Sequence, residues 1–235
     1  MSKKVLITGA DKGLGLALTK LFLEEGFHVF SCLLNEPSNN ITALRERFSN
    51  RLNVISMNVG DDASVKEAAK QVRELTDSID ILINNAGIHP EKSFAALEEV
   101  DFNVAIGTLN VNTLGPLRVT SSFFPLIKKG ETKVVVNISS EAGSISQCSR
   151  DREFDYCMSK AALNMQSVVL QNYFRPQGIK VLAVHPGWLK TDMGGVDAEV
   201  QPDVSARGIF NLINKYKGNL DSPIYMDYAG NLFNW

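Results

Sequence analysis

The sequence has 235 residues, a length that fits one large α/β domain with a substantial core. Apolar residues make up 44% of the chain and charged residues 21%, which excludes disordered, collagen-like and coiled-coil proteins. The net charge is −2 and Lys and Arg form no stripe, so nucleic acid and anionic membrane surfaces are excluded as partners and a small molecule is expected.

Neither a targeting segment nor a metal site is expected. The apolar run after Met1-Ser2-Lys3-Lys4 is too short for a signal peptide, and no stretch reaches the length of a membrane span. We therefore expect a cytoplasmic protein that does not enter a membrane. The three cysteines are odd in number and lack C-x-x-C spacing, which indicates reduced thiols. The three histidines are far apart in sequence, so we expect no metal.

Predicted strands and helices alternate along the chain. Short β-prone runs predict seven strands, at 5–7, 29–34, 52–57, 79–83, 133–138, 180–185 and 224–226. Helical spacing of apolar residues predicts helices at 14–22, 41–48, 65–75, 96–128 (bent near Gly115-Pro116), 155–174 and 204–216. Because apolar strands that alternate with helices require cover on both faces, we predict a single-domain doubly wound Rossmann fold, with about seven parallel strands between two layers of helices.

Three glycines, Gly9, Gly13 and Gly15, lie between the first strand and the first helix. Glycine has no Cβ, so its backbone N–H groups can approach a phosphate, and the following helix presents the positive end of its dipole. This predicts an anionic dinucleotide as ligand. The spacing G-x-x-x-G-x-G is weak evidence alone, because three glycines can also form a simple tight turn.

Other polar or glycine-containing segments also follow predicted strands. They are Asn84 to Gly87 after strand four, Ser139-Ser140 after strand five and Pro186-Gly187 after strand six. Ligands of parallel α/β sheets bind at the carboxyl ends of the strands. The coincidence of these segments at one edge predicts a single ligand cleft there.

Tyr156 and Lys160 are four residues apart near the start of a predicted helix, so they share one helix face. A nearby ammonium lowers the pKa of a phenol, which suits acid-base catalysis near neutral pH. An amphipathic helix with a packed Tyr and a solvated Lys is the alternative. Ser140 can hydrogen-bond a substrate oxygen, or else it caps a turn. Ser139 is a weaker candidate for the same role.

In combination, these motifs resemble the short-chain dehydrogenase/reductase (SDR) family over essentially the whole chain. The matching motifs are Thr8 to Gly15, Asn84 to Gly87, Asn112, Ser140, Tyr156-x-x-x-Lys160, and Pro186-Gly187 with Thr191. The segment from His185 to Gly195 and the tail ending in Trp235 resemble more narrowly the C-factor and sniffer-like carbonyl reductases.

The resemblance implies roles for individual residues. Tyr156 is the expected acid-base residue, Ser140 positions the substrate oxygen, Lys160 lowers the Tyr156 pKa and holds the nicotinamide ribose, and Asn112 holds a water of the proton relay. The cofactor-binding residues that it implies are Gly9, Asp11, Lys12, Gly13, Leu14, Gly15, Asn58, Val59, Asn85, Ala86, Gly87, Tyr156, Lys160, Pro186, Gly187 and Thr191.

The expected cofactor is NADP(H), with NAD(H) also possible. Leu33-Leu34-Asn35 replaces the acidic residue that selects NAD at the end of strand two, and Lys12 lies where basic residues of the family meet the 2′-phosphate. A solvated loop Lys is the alternative for Lys12. We expect no Arg after strand two that would strengthen the preference for NADP(H) over NAD(H).

Two further departures from the family pattern stand out. Ser140 lies sixteen positions before Tyr156, a few more than is common, so the polar loop 145–154 is enlarged and we expect altered substrate access there. Asn58 replaces an Asp that the family often has after strand three. Residues 188–203, with Trp188 and Met193, predict an apolar substrate lid.

The function expected from this pattern is NAD(P)H-dependent reduction of a small apolar carbonyl compound to an alcohol. The alternative is a C-factor-like dinucleotide-binding signalling or sensor protein with little turnover, and a sugar-nucleotide epimerase would need a longer chain. The helix at 155–174 is apolar on more than one face, and the resemblance implies a homodimer or homotetramer.

Overall fold

The computed structural model of the protein describes residues 2–235. Seven strands form one parallel sheet in the order β3-β2-β1-β4-β5-β6-β7. They are β1 (Lys4–Thr8), β2 (His28–Leu33), β3 (Leu52–Ser56), β4 (Ile81–Asn84), β5 (Val134–Ile138), β6 (Lys180–His185) and β7 (Tyr225–Asp227). The strand order reverses between β1 and β4, and this switch point opens a crevice at the carboxyl edge of the sheet.

Residues 2–235 contain seven α-helices. They are α1 (Gly13–Glu24), α2 (Asn39–Arg47), α3 (Asp62–Leu75), α4 (Phe102–Leu109), α5 (Gly115–Ile127), α6 (Phe154–Phe174) and α7 (Pro202–Tyr216). Helices α1 and α7 bury one face of the sheet, while α3, α5 and α6 bury the other. All five residues of β5 are buried because side chains on both of its faces meet a helix layer. The predicted fold class is therefore confirmed.

The predicted helical region over 96–128, bent near Gly115-Pro116, is wrong in its start and in the position of its irregularity. Asp101 accepts hydrogen bonds from the backbone N–H groups of Asn103 and Val104, so α4 begins only after it. A π-helical turn, Asn110–Leu114, then separates α4 from α5. Pro116 has no N–H to donate to the carbonyl four residues earlier. The π-helical turn therefore lies one turn before the expected bend at Gly115-Pro116.

The outer edge of β7 is covered by the last residues of the chain. The backbone N–H of Asp227 donates to Asn231 at 2.9 Å, and that of Phe233 donates to Tyr225 at 3.2 Å. Met226 and Leu232 form an antiparallel bridge between these two bonds. The tail therefore occupies the hydrogen-bonding groups that an edge strand otherwise exposes.

Candidate active site

A cleft of about 1330 Å³ runs along the carboxyl edge of the sheet. Most of the residues that the sequence singles out line it: Gly9, Asp11, Lys12, Gly13, Leu14, Asn58, Val59, Asn85, Ala86, Gly87, Tyr156, Lys160, Pro186 and Thr191. Gly15, Gly187, Asn112 and Ser140 lie behind this lining. The cleft therefore brings together segments from five parts of the sequence.

The glycine turn is packed too closely for larger residues. Gly9 has φ +62°, and a Cβ there would lie 2.9 Å from the Cα of Ala86. A Cβ on Gly15 would lie 2.0 Å from the carbonyl oxygen of Gly9. Gly15 thus lets α1 start directly against the turn, and it supports the cleft wall rather than lining it.

Asn85 ties the glycine turn to the end of β4. Its Nδ2 donates to the carbonyl oxygens of Thr8 and Gly9, both at 2.9 Å. The Thr8 hydroxyl in turn accepts from the backbone N–H groups of Asn85 and Ala86, at 3.0 Å each. These bonds fix the width of the cleft at the point where the sheet order reverses.

The N-terminal end of α1 faces this cleft. Its first residues, Gly13 and Leu14, line the cleft, and no side chain within residues 2–235 caps this helix end. Backbone N–H groups at a helix start and a glycine turn without Cβ atoms form a cradle that suits a pyrophosphate. The residues present therefore fit a dinucleotide.

Ser140 and Ser139 have different environments, which separates the two candidate serines. Ser139 lines the cleft, but its hydroxyl is engaged because it donates to Oδ1 of Asn164 at 2.6 Å. The Ser140 hydroxyl neighbours the Tyr156 phenol and lowers the pKa of that phenol. Oγ of Ser140 also accepts from the backbone N–H of Ala142 at 3.2 Å, which directs the hydroxyl hydrogen away from the backbone.

Lys160 is buried one helical turn after Tyr156. Its Nζ donates to the carbonyl oxygen of Ile138 at 2.9 Å and lies 5.7 Å from the centroid of the Tyr156 ring. Burial lowers the Lys160 pKa to about 8. The ammonium is thus held at the end of β5, facing the cleft.

The expected lowering of the Tyr156 pKa by Lys160 is not found. Burial raises the pKa of Tyr156 to about 12, against the smaller lowering effects of the Ser140 hydrogen bond and the Arg150 charge. Lys160 shares the helix face as predicted, but its Nζ is directed to the Ile138 carbonyl. The phenol therefore holds its proton firmly at neutral pH in the ligand-free protein.

Asn112 lies in the π-helical turn and is buried. Its side-chain amide accepts from the backbone N–H of Ile88 and donates to the carbonyl of the same residue, both at 2.8 Å. It also donates to the Ser159 hydroxyl at 3.1 Å. The Asn112 side chain therefore joins the segment after β4 to Ser159 of α6. Ser159 lies between Tyr156 and Lys160 in the sequence.

The lid expected at 188–203 forms a closed loop between β6 and α7. Trp188 donates through its indole N–H to the carbonyl of Gly194 at 2.8 Å, and a bridge joins Leu189 to Val200. Residues 202 and 203 belong to α7 rather than to the loop. A Cβ on Gly187, which has φ +84°, would lie 2.9 Å from the Tyr228 ring, so the turn into the loop requires glycine.

Lys12 and the lid meet across the mouth of the cleft. The Lys12 ammonium lies 2.8 Å from the Asp192 carboxylate, and both side chains are largely exposed. The hydrogen bond that Lys12 donates to Asp192 raises the pKa of Lys12. The lysine that the sequence assigns to a phosphate is thus paired with a residue of the loop between β6 and α7 in the ligand-free protein.

Several cleft residues were missed from the sequence. His89 stacks on the Tyr156 ring, and Lys20, Asn35 and Arg47 line the cleft where β2 ends. No Arg was expected near that strand, and Arg47 corrects this expectation. The only sequence signal that could have placed Arg47 in the cleft is its position on the helix. Arg47 is the last residue of α2 and lies seven residues, about two helical turns, after Asn40, which also lines the cleft.

Residues 2–235 contain neither a metal-binding cluster nor a membrane-spanning helix. Within residues 2–235, no three His, Cys, Asp or Glu side chains lie close enough together to hold a metal ion. No helix over those residues is long and apolar enough to cross a membrane.

Known proteins resemble the chain in sequence and in structure. A family model described as short chain dehydrogenase matches residues 3–201. The C-signal protein of Myxococcus xanthus is 38% identical over 160 residues, which cover 68% of this chain and 95% of that protein.

Two solved structures share the whole architecture. The carbonyl reductase Sniffer of D. melanogaster aligns with a TM-score of 0.90 at 28% identity and covers 100% of both chains. The NADPH-bound carbonyl reductase from chicken fatty liver aligns with a TM-score of 0.86 at 29% identity, covering 100% of this chain and 94% of that one. Together with the family match, these findings show that the chain belongs to the short chain dehydrogenase family, whose members are oxidoreductases that bind a nicotinamide dinucleotide.

Proposed function

We propose that this protein is an NADP-preferring reductase that converts a small apolar carbonyl compound into an alcohol, with Tyr156 as the acid-base residue. The observation that carries the proposal is the meeting of three groups at one end of the cleft. The Ser140 hydroxyl neighbours the Tyr156 phenol and lowers its pKa, and the Lys160 ammonium lies 5.7 Å from the same ring. These groups supply a hydrogen-bond donor, a proton donor and a positive charge.

Tyr156 and Ser140 act on the substrate oxygen. Burial raises the Tyr156 pKa to about 12, so the phenol carries its proton at neutral pH and can give it to an oxygen that is gaining negative charge. Ser140 accepts from the Ala142 N–H, and its own hydrogen is free to donate to that oxygen. When bound, the nicotinamide supplies the hydride, and the cleft residues hold the two reactants in line.

The glycine turn and the start of α1 are the proposed seat of the pyrophosphate. Lys160 is the proposed partner of the nicotinamide ribose, with Asn85, Ala86, Asn58 and Val59 along the adenosine side. Preference for NADP rests on three observations. Leu33-Leu34 brings no carboxylate to the end of β2, the Lys12 ammonium lies at the cleft mouth, and Arg47 lines the same end of the cleft. The chicken carbonyl reductase that shares the fold has NADPH bound.

The lid supports an apolar substrate. Trp188, Met193 and Val196 are exposed large apolar side chains of this loop, with 91% of Val196 accessible. An exposed apolar loop beside a cleft gains free energy when it closes over an apolar ligand. We therefore assign residues 188–203 to substrate binding.

We also propose a homodimer that forms through α4, α5 and α6. The outward face of α6 exposes Met158, Met165, Val169 and Tyr173, and neighbouring α4 and α5 expose Phe102, Ile106 and Leu117. A contiguous apolar surface of this kind is typical of an interface. The chain's own tail covers the edge of β7, which disfavours a tetramer built by pairing sheet edges.

The similarity to C-signal supports a second candidate function. That protein's name suggests signalling, and a signalling role here would depend on dinucleotide binding rather than on turnover. A sensor of this kind has no need of a protonated phenol beside a serine hydroxyl. The pairing of Ser140 with Tyr156 therefore favours the reductase.

One experiment separates the two candidates. NADPH oxidation is followed by absorbance with aromatic aldehydes, aliphatic ketones and quinones as substrates, using the unmodified protein and Tyr156→Phe. We expect turnover with at least one carbonyl compound and its loss in the variant. NADPH binding without turnover on any compound of the panel would refute the reductase and favour the sensor.

A further inference from the structure

The segment that carries Ser140 leaves the sheet just after the β5–β6 ladder ends. The backbone N–H of Ser139 still donates to the Val184 carbonyl at 2.8 Å, and this is the last bond of the ladder on that side. Residues 141–143 then turn into a short 3-10 helix. Within this turn the Ser140 carbonyl accepts from the backbone N–H of Gly143 at 3.0 Å, and the N–H of Glu141, in the same peptide group, has its partner outside the ladder.

Two side chains from the neighbouring strands bind that one peptide group from both ends. The Tyr225 hydroxyl of β7 donates to the carbonyl oxygen of Ser140 at 2.6 Å. The backbone N–H of Glu141 donates to Nδ1 of His185, the last residue of β6, at 3.2 Å. We call Tyr225 and His185 the peptide clamp.

The tail of the chain packs against the clamp. The Phe233 ring contacts both members, with its centroid 5.2 Å from that of Tyr225 and 5.6 Å from that of His185. Trp235 stacks on the other side of Tyr225, with centroids 5.0 Å apart. The clamp side chains therefore have little rotational freedom.

We propose that Tyr225 and His185 are positioning residues that orient the Ser140 hydroxyl toward Tyr156. The inference rests on the proposed reductase function, because it assigns these residues to the geometry of that reaction. A peptide group held at both its C=O and its N–H cannot rotate, and the rotation of this peptide would move the Ser140 side chain. Neither residue touches the substrate oxygen, so each acts through Ser140.

The protonation states required by the clamp agree with its surroundings. A donor hydroxyl must keep its proton, and burial raises the Tyr225 pKa to about 12. An acceptor Nδ1 must be unprotonated, and burial lowers the His185 pKa. Glu141 and Asp227 oppose this lowering, while Arg150 and Lys160 add to it. His185 therefore carries its hydrogen on Nε2 at neutral pH.

The first test removes a single hydroxyl. Tyr225→Phe keeps the ring between Phe233 and Trp235 and loses only the bond to Ser140. We expect kcat to fall about three- to ten-fold, the range for one lost hydrogen bond, with the KM for NADPH changed by less than about two-fold. Tyr216→Phe on α7 is the matched control, and it should leave kcat unchanged.

A readout that needs no substrate accompanies the kinetics. The Ala142 amide bonds Oγ of Ser140, so its hydrogen exchange reports the orientation of that hydroxyl. Exchange at Ala142 and Glu141, measured by NMR in the ligand-free protein, should accelerate about five-fold in Tyr225→Phe. Unchanged exchange at both amides in this variant would overturn the proposal.

His185 is tested by replacing its acceptor. Asn at this position can offer an acceptor oxygen in place of Nδ1, whereas Leu cannot. His185→Asn should retain most of kcat and His185→Leu should lose it, and equal losses would overturn the assignment. The ring nitrogen shifts of His185 should show the Nε2–H form, and a proton on Nδ1 at neutral pH would likewise overturn it.

A double variant separates positioning from general stability. In a Ser140→Ala background, Tyr225→Phe should lower kcat no further, because the group that it positions is gone. A full additional loss would overturn the proposal. Absence of carbonyl turnover in the unmodified protein would instead refute the proposed function, and the amide exchange would still decide whether the clamp holds Ser140.

Discussion

The imidazole of His89 lies against the phenol ring of Tyr156, with ring centroids 4.1 Å apart and planes 21° apart. Nε2 of His89 is 2.9 Å from the carboxylate of Glu153, which is buried and has a left-handed backbone at φ 60°. Arg150 pairs with the same carboxylate and with Glu141. Glu153, which precedes α6, is thus fixed by its ion pair with Arg150, and its carboxylate lies beside the His89 ring.

This stacking leads to the first prediction. His89→Ala should lower kcat about two- to ten-fold, the range for loss of one aromatic pair, because Tyr156 gains freedom to turn. His89→Phe keeps a ring against the phenol and should retain most of the activity. Steady-state kinetics with NADPH and the best carbonyl compound of the panel decide the point. Equal losses in both variants would show that the ring contact is not the cause.

Tyr156→Phe tests the proton donor itself. We expect kcat to fall by about 10²-fold or more, the usual scale for a positioned acid-base group, while NADPH affinity changes little. Affinity is measured by fluorescence titration with NADPH, so binding and turnover are separated. Tyr216→Phe is the control for loss of a phenol hydroxyl elsewhere. Near-normal turnover in Tyr156→Phe would remove this residue from the mechanism.

We predict that the buried Lys160 lowers the free energy of unfolding at neutral pH although the proposed reaction needs it. Burial lowers its pKa to about 8, so between pH 8 and its ordinary value of 10.5 the unfolded chain binds more protons than the folded one. The free energy of unfolding therefore rises with pH across that window. At neutral pH, Lys160→Met should raise it by about 1–3 kcal/mol, after loss of the Ile138 hydrogen bond, and should weaken both turnover and NADPH binding.

A second buried lysine gives the matched control. Burial also lowers the Lys180 pKa to about 8, and its Nζ donates to the Ser222 carbonyl at 2.7 Å, away from the cleft. Thermal unfolding of Lys160→Met and Lys180→Met between pH 7 and 10.5 should show a smaller rise of stability in each variant. Only Lys160→Met should lose activity. Lower stability of Lys160→Met at pH 7 would contradict the argument.

The location of the site could be predicted from the sequence because it follows from topology. Apolar strands alternating with helices require a parallel sheet, and the carboxyl ends of parallel strands share one edge. The segments after strands one, four and six therefore had to meet, and Gly9, Asn85 and Pro186 do line one cleft. The roles of Ser140, Tyr156 and Lys160 in a reaction stay predictions.

Properties that depend on burial, or on the direction in which a helix packs, could not be predicted from the sequence. The Tyr156 pKa was expected to fall because Lys160 is four residues away, yet burial raises it, and burial depends on the packed fold. Arg47 lies in the cleft through the direction in which α2 packs on the sheet. The π-helical turn at Asn110–Leu114 combines the effect of Pro116 with the bonds of Asn112 to Ile88, which come from distant sequence.

The apolar face of α6 predicts a dimer that one charge disrupts. Met165 is 65% exposed at the middle of this face. A buried, unpaired carboxylate is costly at an interface, so Met165→Glu should give a monomer where the unmodified protein gives a dimer. Leu75→Glu, on the exposed end of α3, is the control. Light scattering at micromolar concentration measures both, and a monomeric unmodified protein would refute the dimer.

Lys12 and Asp192 predict how cofactor choice can be changed in both directions. One charge-assisted hydrogen bond from Lys12 to a 2′-phosphate corresponds to a preference for NADPH over NADH of about ten- to a hundred-fold in kcat/KM. Lys12→Ala should remove most of this preference and leave kcat/KM for NADH nearly unchanged. Equal kcat/KM values for the two cofactors in the unmodified protein would show that Lys12 does not contact the phosphate.

Asp192 competes with that phosphate for the same ammonium, from which it lies 2.8 Å away. Asp192→Asn removes the competing charge and also one negative charge that faces the phosphate, so the preference for NADPH should increase a few-fold, as expected for an exposed ion pair. The gain should disappear in the Lys12→Ala background, because the two side chains act on one another.

Arg47→Ala measures the separate contribution of the β2 end of the cleft. All variants need one fixed ionic strength, since salt screens these exposed charges. An unchanged ratio of NADPH to NADH kcat/KM in Asp192→Asn would mean that Lys12 leaves Asp192 at no cost when the dinucleotide binds.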